Sequence, residues 1–282
     1  MNRFSSYDGT QLAYTSLGEG HPLVCLPGGP GRAVAYLEDL GGLDRTRTLI
    51  LLDLRATGHS EVPADPSTLR FDRMADDLEA LREHLGLKTM DVLAHSAGCL
   101  VAQAWASRHP ERVGHLVLVT PSDRLQGGAR EDLPAIRALS AGEPWYAEAA
   151  EAAAALEDAP PSQRASLERL TRPFFYGRWD ERTQAHAATA DHQSSKRAQL
   201  GFGAGVEEID LEALLAGLRQ VTSQVMVIGG DHDGLTGVAS CARVAQSFPS
   251  TATAIVAGAG HFPWVDQPKE FAGLVRMGLR TI

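Results

Sequence analysis

Residues 91–100 read Asp-Val-Leu-Ala-His-Ser-Ala-Gly-Cys-Leu, and this stretch decides how the rest of the chain is interpreted. A short apolar run leads directly into Ser96, with the small residues Ala94 and Gly98 two positions away on either side. Small neighbours are needed where a strand turns sharply into a helix, because larger side chains would clash in the strained turn. The stretch therefore predicts a strand, a tight turn that exposes the Ser96 hydroxyl, and a helix.

Short apolar runs alternate with amphipathic helical stretches along both flanks of this turn. Residues 22–26 and 48–52 predict strands that are buried on both faces. Residues 11–15 follow an Asp-Gly turn and predict an antiparallel edge strand. Strands separated by helices favour an α/β fold with a mainly parallel sheet and helices on both faces.

The strand pattern stops between residues 122 and 205. This region is rich in Ala, Glu, Gln and Arg, and its clearest helix covers residues 148–156. We therefore predict an all-helical insertion at 122–205 within a core formed by residues 1–121 and 206–282. The length of 282 residues suits either one large α/β domain or a core domain that carries an inserted lid.

Composition limits the classes of partner. The net charge of −9 argues against nucleic acid, which requires concentrated Lys and Arg. The N-terminus lacks an apolar signal segment and no stretch reaches the length of a membrane span, so we expect a cytoplasmic protein without a membrane partner.

Cys25, Cys99 and Cys241 are far apart and odd in number, which implies no disulfide framework. The sequence leaves the oligomeric state open and allows a homo-oligomer.

A serine hydroxyl is a poor nucleophile unless a base lies within hydrogen-bond reach and an acid orients that base. Two later segments, each after a predicted strand, offer such groups: residues 229–233 read Gly-Gly-Asp-His-Asp, and residues 258–263 read Gly-Ala-Gly-His-Phe-Pro. Ser96, Asp233 and His261 are therefore the predicted catalytic residues. Two alternatives remain: Asp231, which is otherwise expected to hold the loop, and His232, which adjoins Asp233 in sequence.

Attack on a carbonyl also requires backbone N–H groups that stabilise the oxyanion. The turn at Ser96 offers the N–H of Ala97. The glycine loop, which we define as residues 27–31 with the sequence Pro-Gly-Gly-Pro-Gly, offers Gly29 and, as a reserve, Gly28. A plain tight turn would use the same residue types.

Cofactor sites are not indicated by the sequence. The glycine loop lacks the Lys-Ser/Thr ending of a phosphate-binding loop, and its prolines remove N–H donors. Residues 231–233, which read Asp-His-Asp, could ligate a metal, but the sequence offers no second cluster of metal-ligating residues to complete a site. We therefore expect neither a metal nor a cofactor.

With these residues identified, the chain resembles the α/β-hydrolase superfamily over nearly its whole length, and within it the proline iminopeptidase-like hydrolases. The glycine loop resembles that family's His-Gly-Gly-Pro-Gly loop, and residues 53–60 resemble its Asp-x-Arg-Gly-x-Gly-x-Ser segment. Residues 76–86 then lead to the serine turn much as in the family. The resemblance implies a mainly parallel sheet of about eight strands, a Ser96-Asp233-His261 triad, and a cap formed by the helical insertion. It also implies that Asp53 and Arg55 hold loops near the site.

Three departures from the family pattern bear on the substrate. Pro27 replaces the histidine, Ala94 replaces the first glycine of the serine turn, and Ala97 replaces a large aromatic residue. The turn therefore looks more like that of an esterase, thioesterase or lactonase. The peptidases hold the substrate amine with cap carboxylates, and the candidates here are Glu143, Glu148, Glu151 and Glu181.

The sequence thus predicts a serine hydrolase that cleaves an ester, thioester or amide of a small organic molecule through an acyl-enzyme. An aminopeptidase is the alternative within the family. A non-hydrolytic lyase or a ligand-binding protein on the same fold is the alternative of another class. Aromatic residues of the insertion are predicted either to line the substrate site or to form the core of the cap: Trp145, Phe174, Phe175, Tyr176 and Trp179.

Overall fold

A computed structural model describes residues 1–128 and 130–280. Within these residues eight strands form one sheet in the order β1-β2-β4-β3-β5-β6-β7-β8. The strands are β1 (Asn2–Ser5), β2 (Gln11–Leu17), β3 (His21–Leu26), β4 (Arg47–Leu52), β5 (Met90–His95), β6 (Val113–Val119), β7 (Val225–Gly230) and β8 (Thr251–Val256).

Strand direction confirms the predicted mainly parallel sheet. Strands β3 to β8 pair in parallel, whereas β2 pairs antiparallel with both β1 and β4. The prediction that residues 11–15 form the edge strand is wrong, because β1 covers that edge. Strand β1 has four residues, of which Phe4 alone is buried, so its apolar pattern is too short to recognise.

Twelve α-helices are present in the described residues. They are α1 (Ala75–His84), α2 (Gly98–Arg108), α3 (Leu133–Ala138), α4 (Tyr146–Ala155), α5 (Pro161–Thr171), α6 (Glu181–Ala188), α7 (Ala190–Gln193), α8 (Lys196–Phe202), α9 (Leu211–Leu218), α10 (Ala239–Ala245), α11 (Pro263–Asp266) and α12 (Pro268–Gly278). None of these helices is long and apolar enough to cross a membrane.

Both faces of the sheet are buried, which explains the continuous apolar runs of its strands. Val24 and Leu26 of β3 belong to the cluster that packs on α1 and α2, whereas Leu23 and Cys25 belong to the cluster on the opposite face with α12. Successive side chains of a strand point to opposite faces. The apolar run of β3 therefore supplies two separate cores.

Helices α3 to α8 lie between β6 and β7, where the sequence predicts only helices. We call residues 133–202, which contain these helices, the helical segment. It contacts the core through backbone hydrogen bonds: the Ser195 N–H donates to the Gly31 carbonyl at 2.8 Å, and the Ala33 N–H donates to the Gln193 carbonyl at 2.9 Å. The Gly234 N–H donates to the Phe174 carbonyl at 3.0 Å. These contacts fix the helical segment above the ends of the strands that carry the glycine loop and Asp233.

Asp53 and Arg55 hold loops in the structure. The Asp53 carboxylate accepts the backbone N–H groups of Val34 at 2.8 Å and His59 at 2.9 Å. Arg55 forms a two-pronged ion pair with Asp77 of α1, with N–O distances of 2.7 and 2.6 Å, and both side chains are fully buried. The pair connects the loop after β4 to α1.

Asp266 joins the helical segment to the loop before His261. Its Oδ2 accepts the N–H groups of Gly177 at 3.0 Å and Gly260 at 2.8 Å. Burial raises the pKa of Asp266 to about 6, although these two hydrogen bonds and the charge of Arg178 act in the opposite direction. The carboxyl group is therefore easier to protonate in the folded protein than in the unfolded chain.

Removing Asp77 should destabilise the fold strongly. In Asp77→Ala the buried Arg55 guanidinium loses its fully buried carboxylate partner and keeps only the more exposed Asp8, which costs up to about 3–5 kcal/mol. Urea unfolding measures this change. Arg169→Ala is the control, because it breaks an exposed ion pair with Asp191 and should cost less than about 1 kcal/mol. Equal effects of the two substitutions would contradict the assignment of Arg55 and Asp77 as a structural pair.

Asp266 should make the protein less stable as the pH rises from about 4 to about 7. A raised folded-state pKa means that the stabilising contribution is complete below the unfolded-state pKa and is lost as the pH passes the folded-state value. Asp266→Asn lacks this ionisation, so its stability relative to the parent protein should rise by roughly 2–3 kcal/mol over that range. A difference in unfolding free energy that does not change with pH would contradict this prediction.

Candidate active site

Ser96 lies at the tip of a sharp turn between β5 and α2. Its φ of 53° is in the left-handed region, which a residue with a Cβ rarely adopts. A Cβ placed on Gly98 would lie 2.3 Å from the carbonyl oxygen of Pro27, so glycine is required there. The turn therefore has the strand-turn-helix form that the sequence predicts, and it brings Ser96 beside the glycine loop.

His261 and Asp233 meet after the ends of β8 and β7. His261 Nδ1 lies 2.9 Å from Asp233 Oδ2, and both side chains are buried. Asp233 also accepts the N–H groups of Leu235 and Thr236 on Oδ1 and the Thr236 hydroxyl on Oδ2. Burial alone would raise the pKa of Asp233, but the charge of His261 and these hydrogen bonds hold it below its usual value.

The alternative residues lie elsewhere. Asp231 Oδ1 contacts His232 Nδ1 at 2.6 Å and accepts the N–H of Gly258 at 2.8 Å. Both side chains are partly exposed, and neither contacts His261. Asp231 therefore holds the loop after β8, and Asp233 is the residue that pairs with His261.

Ser96 and His261 line one cavity of about 440 Å³, which we call the Ser96 cavity. Within the described residues the Ser96 hydroxyl makes no hydrogen bond, with the His261 ring or with any other group. Catalytic hydrogen bonds are often long before substrate binds and shorten in the complex. With its Nδ1 directed at Asp233, the His261 ring can accept a proton only on Nε2.

The N–H groups near Ser96 differ in their availability. The Gly28 N–H donates to the Tyr36 hydroxyl at 2.6 Å, so the reserve assignment of Gly28 as an oxyanion donor is wrong. The N–H groups of Gly29 and Ala97 have no acceptor within residues 1–128 and 130–280. A Cβ on Gly28 would lie 2.7 Å from the Ser96 Cβ, which shows how closely the glycine loop approaches the serine.

Tyr36 and His95 connect the glycine loop to His261. The Tyr36 hydroxyl lies 2.7 Å from His95 Nδ1, and His95 Nε2 lies 2.9 Å from the carbonyl oxygen of His261. The carbonyl can only accept, so His95 carries its proton on Nε2 and accepts the Tyr36 hydroxyl proton on Nδ1. Burial, and then the charge of His261, lower the pKa of His95 well below its usual value. Sequence analysis missed Tyr36, because nothing in its neighbourhood marks a polar role.

Two of the five predicted aromatic residues line the Ser96 cavity: Phe175 and Tyr176. The assignments of the other three to this cavity are wrong. Trp145 packs edge-on against buried Phe174 with ring centroids 5.4 Å apart, and Trp179 packs against Tyr176 at 5.6 Å. Phe174 is buried, whereas Trp145 and Trp179 are half-buried, and Trp179 also packs against the core cluster that includes α12.

The four glutamates suggested as amine ligands do not line the cavity. Glu143, Glu148, Glu151 and Glu181 are all exposed on the helical segment. The charged residues that line the cavity are instead Arg32, Glu168 and Arg172.

The cysteines and the metal-binding residue types form no further site among the described residues. Cys25, Cys99 and Cys241 are buried free thiols. No group of three or more His, Cys, Asp or Glu side chains in the described part of the chain is arranged to hold a metal ion.

Comparison with known proteins agrees with this architecture. A proline iminopeptidase from Heyndrickxia coagulans is 34% identical over 104 residues, which are 37% of this chain and 36% of that protein. A (lyso)-N-acylphosphatidylethanolamine lipase from Mus musculus is 36% identical over 103 residues, which are 36% of this chain and 30% of that protein. The chain thus spans about a third of the length of these curated relatives.

Solved structures and a family model extend the likeness to the whole chain. An esterase from Exiguobacterium antarcticum superposes with a TM-score of 0.76 at 19% identity and covers 99% of both chains, which shows a common fold. The family model described as alpha/beta hydrolase fold matches residues 21–268. This match covers most of the chain, and the chain therefore belongs to the alpha/beta hydrolase fold family.

Proposed function

We propose that the protein is a serine hydrolase that cleaves an ester, thioester or amide of a small organic substrate. The observation that carries this proposal is the shared cavity. Ser96 on its left-handed turn and His261, held on Nδ1 by Asp233, both face the same 440 Å³ space. The esterase, lipase and iminopeptidase among the similar proteins support a hydrolytic role.

The proposed reaction has two steps. The Ser96 oxygen attacks the substrate carbonyl while His261 Nε2 takes the hydroxyl proton, and the N–H groups of Gly29 and Ala97 stabilise the oxyanion. The intermediate expels the alcohol, thiol or amine, which receives that proton, and leaves an acyl group on Ser96. Water then attacks the acyl group with His261 as base, releasing the acid and restoring the serine. Asp233 holds the ring tautomer, and the proposal needs neither a metal nor a cofactor.

We further propose that residues 122–205 act as a cap on a core formed by residues 1–121 and 206–282. The helical segment supplies Arg172, Phe175 and Tyr176 to the cavity wall, and the glycine loop supplies Gly29 and Pro30. A wall that combines aromatic rings with charged groups suits a small, partly apolar substrate.

Aminopeptidase activity is the second candidate, because the chain is 34% identical to an iminopeptidase over 104 residues. Its support is weaker, since the substrate amine would need carboxylates in the cavity and the four candidate glutamates lie outside it. Among the glutamates of the described residues, Glu168 at the exposed rim is the one that lines the cavity.

A fluorophosphonate probe tests the nucleophile. The probe should label the parent protein, and Ser96→Ala should abolish the labelling. Ser122→Ala is the matched control, because its backbone N–H contacts the Ser96 carbonyl while its side chain lies outside the cavity. His261→Ala should lower turnover of a p-nitrophenyl ester by at least about a thousandfold.

Labelling that persists in Ser96→Ala would contradict the assignment of the nucleophile. Turnover of p-nitrophenyl esters but not of prolyl arylamides would favour the esterase over the aminopeptidase. Binding of small ligands by a parent protein that the probe does not label would indicate a ligand-binding protein instead.

A further inference from the structure

Arg32 is a buried cation in the wall of the Ser96 cavity. It follows the glycine loop directly, and the residue is 6% exposed. Its Nε donates to Gln193 at 3.1 Å, and its Nη2 donates to the His186 carbonyl at 3.3 Å and the Thr189 hydroxyl at 2.7 Å. All three acceptors are uncharged. The other terminal nitrogen, Nη1, makes no hydrogen bond within the described residues.

No carboxylate in the described residues forms an ion pair with Arg32. Glu38 is the acidic residue whose charge acts on it, but at a distance beyond an ion pair. Burial lowers the pKa of Arg32, and the nearby charge of Arg172 acts in the same direction. A buried cation without a counterion is costly, so it indicates either a purely structural role or a missing anion.

The second cation of the cavity is already compensated. Arg172 Nη2 lies 2.6 Å from Asp191 Oδ1, which Arg169 also contacts at 3.2 Å. Glu168, at the exposed rim, adds a further negative charge. The one cavity-lining guanidinium without a carboxylate partner in the described part of the chain is therefore that of Arg32.

The position of Arg32 favours a ligand that also reaches Ser96. Its guanidinium carbon lies 4.1 Å from the centroid of the Tyr36 ring and 5.8 Å from that of Phe262, so the plane of the side chain is fixed by aromatic contacts. The Tyr36 hydroxyl in turn bonds His95, the residue before the nucleophile. The same short loop thus carries Arg32 and the Gly29 N–H group that we assign to the oxyanion.

We propose that Arg32 is an anion subsite, and that the substrate carries a single carboxylate which its Nη1 binds while the scissile carbonyl lies at Ser96. This inference rests on the proposed hydrolase function and names its substrate class: a monoester, thioester or monoamide of a small dicarboxylic acid, or an equivalent molecule with one free carboxylate. One uncompensated positive charge matches one carboxylate. The Nε and Nη2 atoms of Arg32 bond uncharged groups of the helical segment, and its Nη1 makes no hydrogen bond within the described residues.

Two esters of equal chain length test the subsite. Mono-p-nitrophenyl glutarate ends in a carboxylate where p-nitrophenyl pentanoate ends in a methyl group. The parent protein should prefer the glutarate in kcat/KM by at least about tenfold, and Arg32→Gln should reduce glutarate turnover by about tenfold to a hundredfold. Because Arg32→Gln also alters the hydrogen bonds to Gln193, His186 and Thr189, the readout is the ratio of the two kcat/KM values. That ratio should fall by at least about tenfold in Arg32→Gln, and Arg32→Lys should keep part of the preference.

Arg172→Gln is the matched control, since its charge is compensated by Asp191. It should alter the ratio of the two kcat/KM values by less than about threefold. A larger loss of preference in Arg172→Gln than in Arg32→Gln would place the anion at Arg172 and overturn the proposal. Equal loss of both esters in Arg32→Gln would show that Arg32 only supports the fold of the site.

Binding to Ser96→Ala separates this inference from the hydrolase proposal. Glutaramate and glutaramide differ only in the free carboxylate, and calorimetry should find glutaramate bound at least about tenfold more tightly, with the difference lost when Arg32→Gln is added. If neither ester is hydrolysed but this preference is found, the subsite stands and the hydrolase proposal fails. If the esters are hydrolysed without any preference for the carboxylate in turnover or binding, the subsite proposal fails alone.

Discussion

The site depends on how the backbone of His261 is held. Its N–H donates to the Phe175 carbonyl at 2.7 Å, and its own carbonyl accepts from His95 at 2.9 Å and from Thr120 at 3.0 Å. Together with the contact between its ring and Asp233, these bonds fix the imidazole between the helical segment and the serine turn. His95 can donate to this carbonyl and accept the Tyr36 hydroxyl proton at the same time only as a neutral ring, and burial favours the neutral form by lowering its pKa.

One consequence is that the positions of the helical segment and of the proposed catalytic residues are not independent. The same loop that carries His261 is tied to the segment through Phe175 and through Asp266, which bonds Gly177 and Gly260. The glycine loop is tied to it through Gly31 and Arg32. Movement of the segment would therefore shift both the proposed base and the proposed oxyanion donors.

Two buried arginines, Arg55 and Arg32, have different partners for their positive charge. Arg55 and Asp77 show the structural solution for a buried cation, which is a two-pronged carboxylate partner. Arg32 has neutral acceptors instead and faces a cavity, which is the arrangement expected where a ligand supplies the charge. The Arg55 guanidinium therefore has a carboxylate partner within the fold, whereas the Arg32 guanidinium has none among the described residues.

The sequence predicted those features that local patterns encode. Strands buried on both faces give continuous apolar runs, so β3 and β4 were recognisable, and the small residues around Ser96 marked its turn. Asp233 and His261 were recognisable because each follows such a strand. Contacts made by loops distant in sequence leave no periodic signal, and the contacts of Tyr36 and Arg32 were therefore missed. The aromatic residues of the helical segment could not be sorted, since Phe174 and Phe175 are adjacent and differ only in the direction of their side chains.

The tautomer of His261 tests the central claim most directly. Nitrogen-15 NMR of the histidine-labelled protein distinguishes a ring nitrogen that carries a proton from one that does not. The account predicts that neutral His261 carries its proton on Nδ1, towards Asp233, and leaves Nε2 free to act as base, while His95 carries its proton on Nε2. A neutral His261 with its proton on Nε2 would contradict the account, because that ring could not deprotonate Ser96.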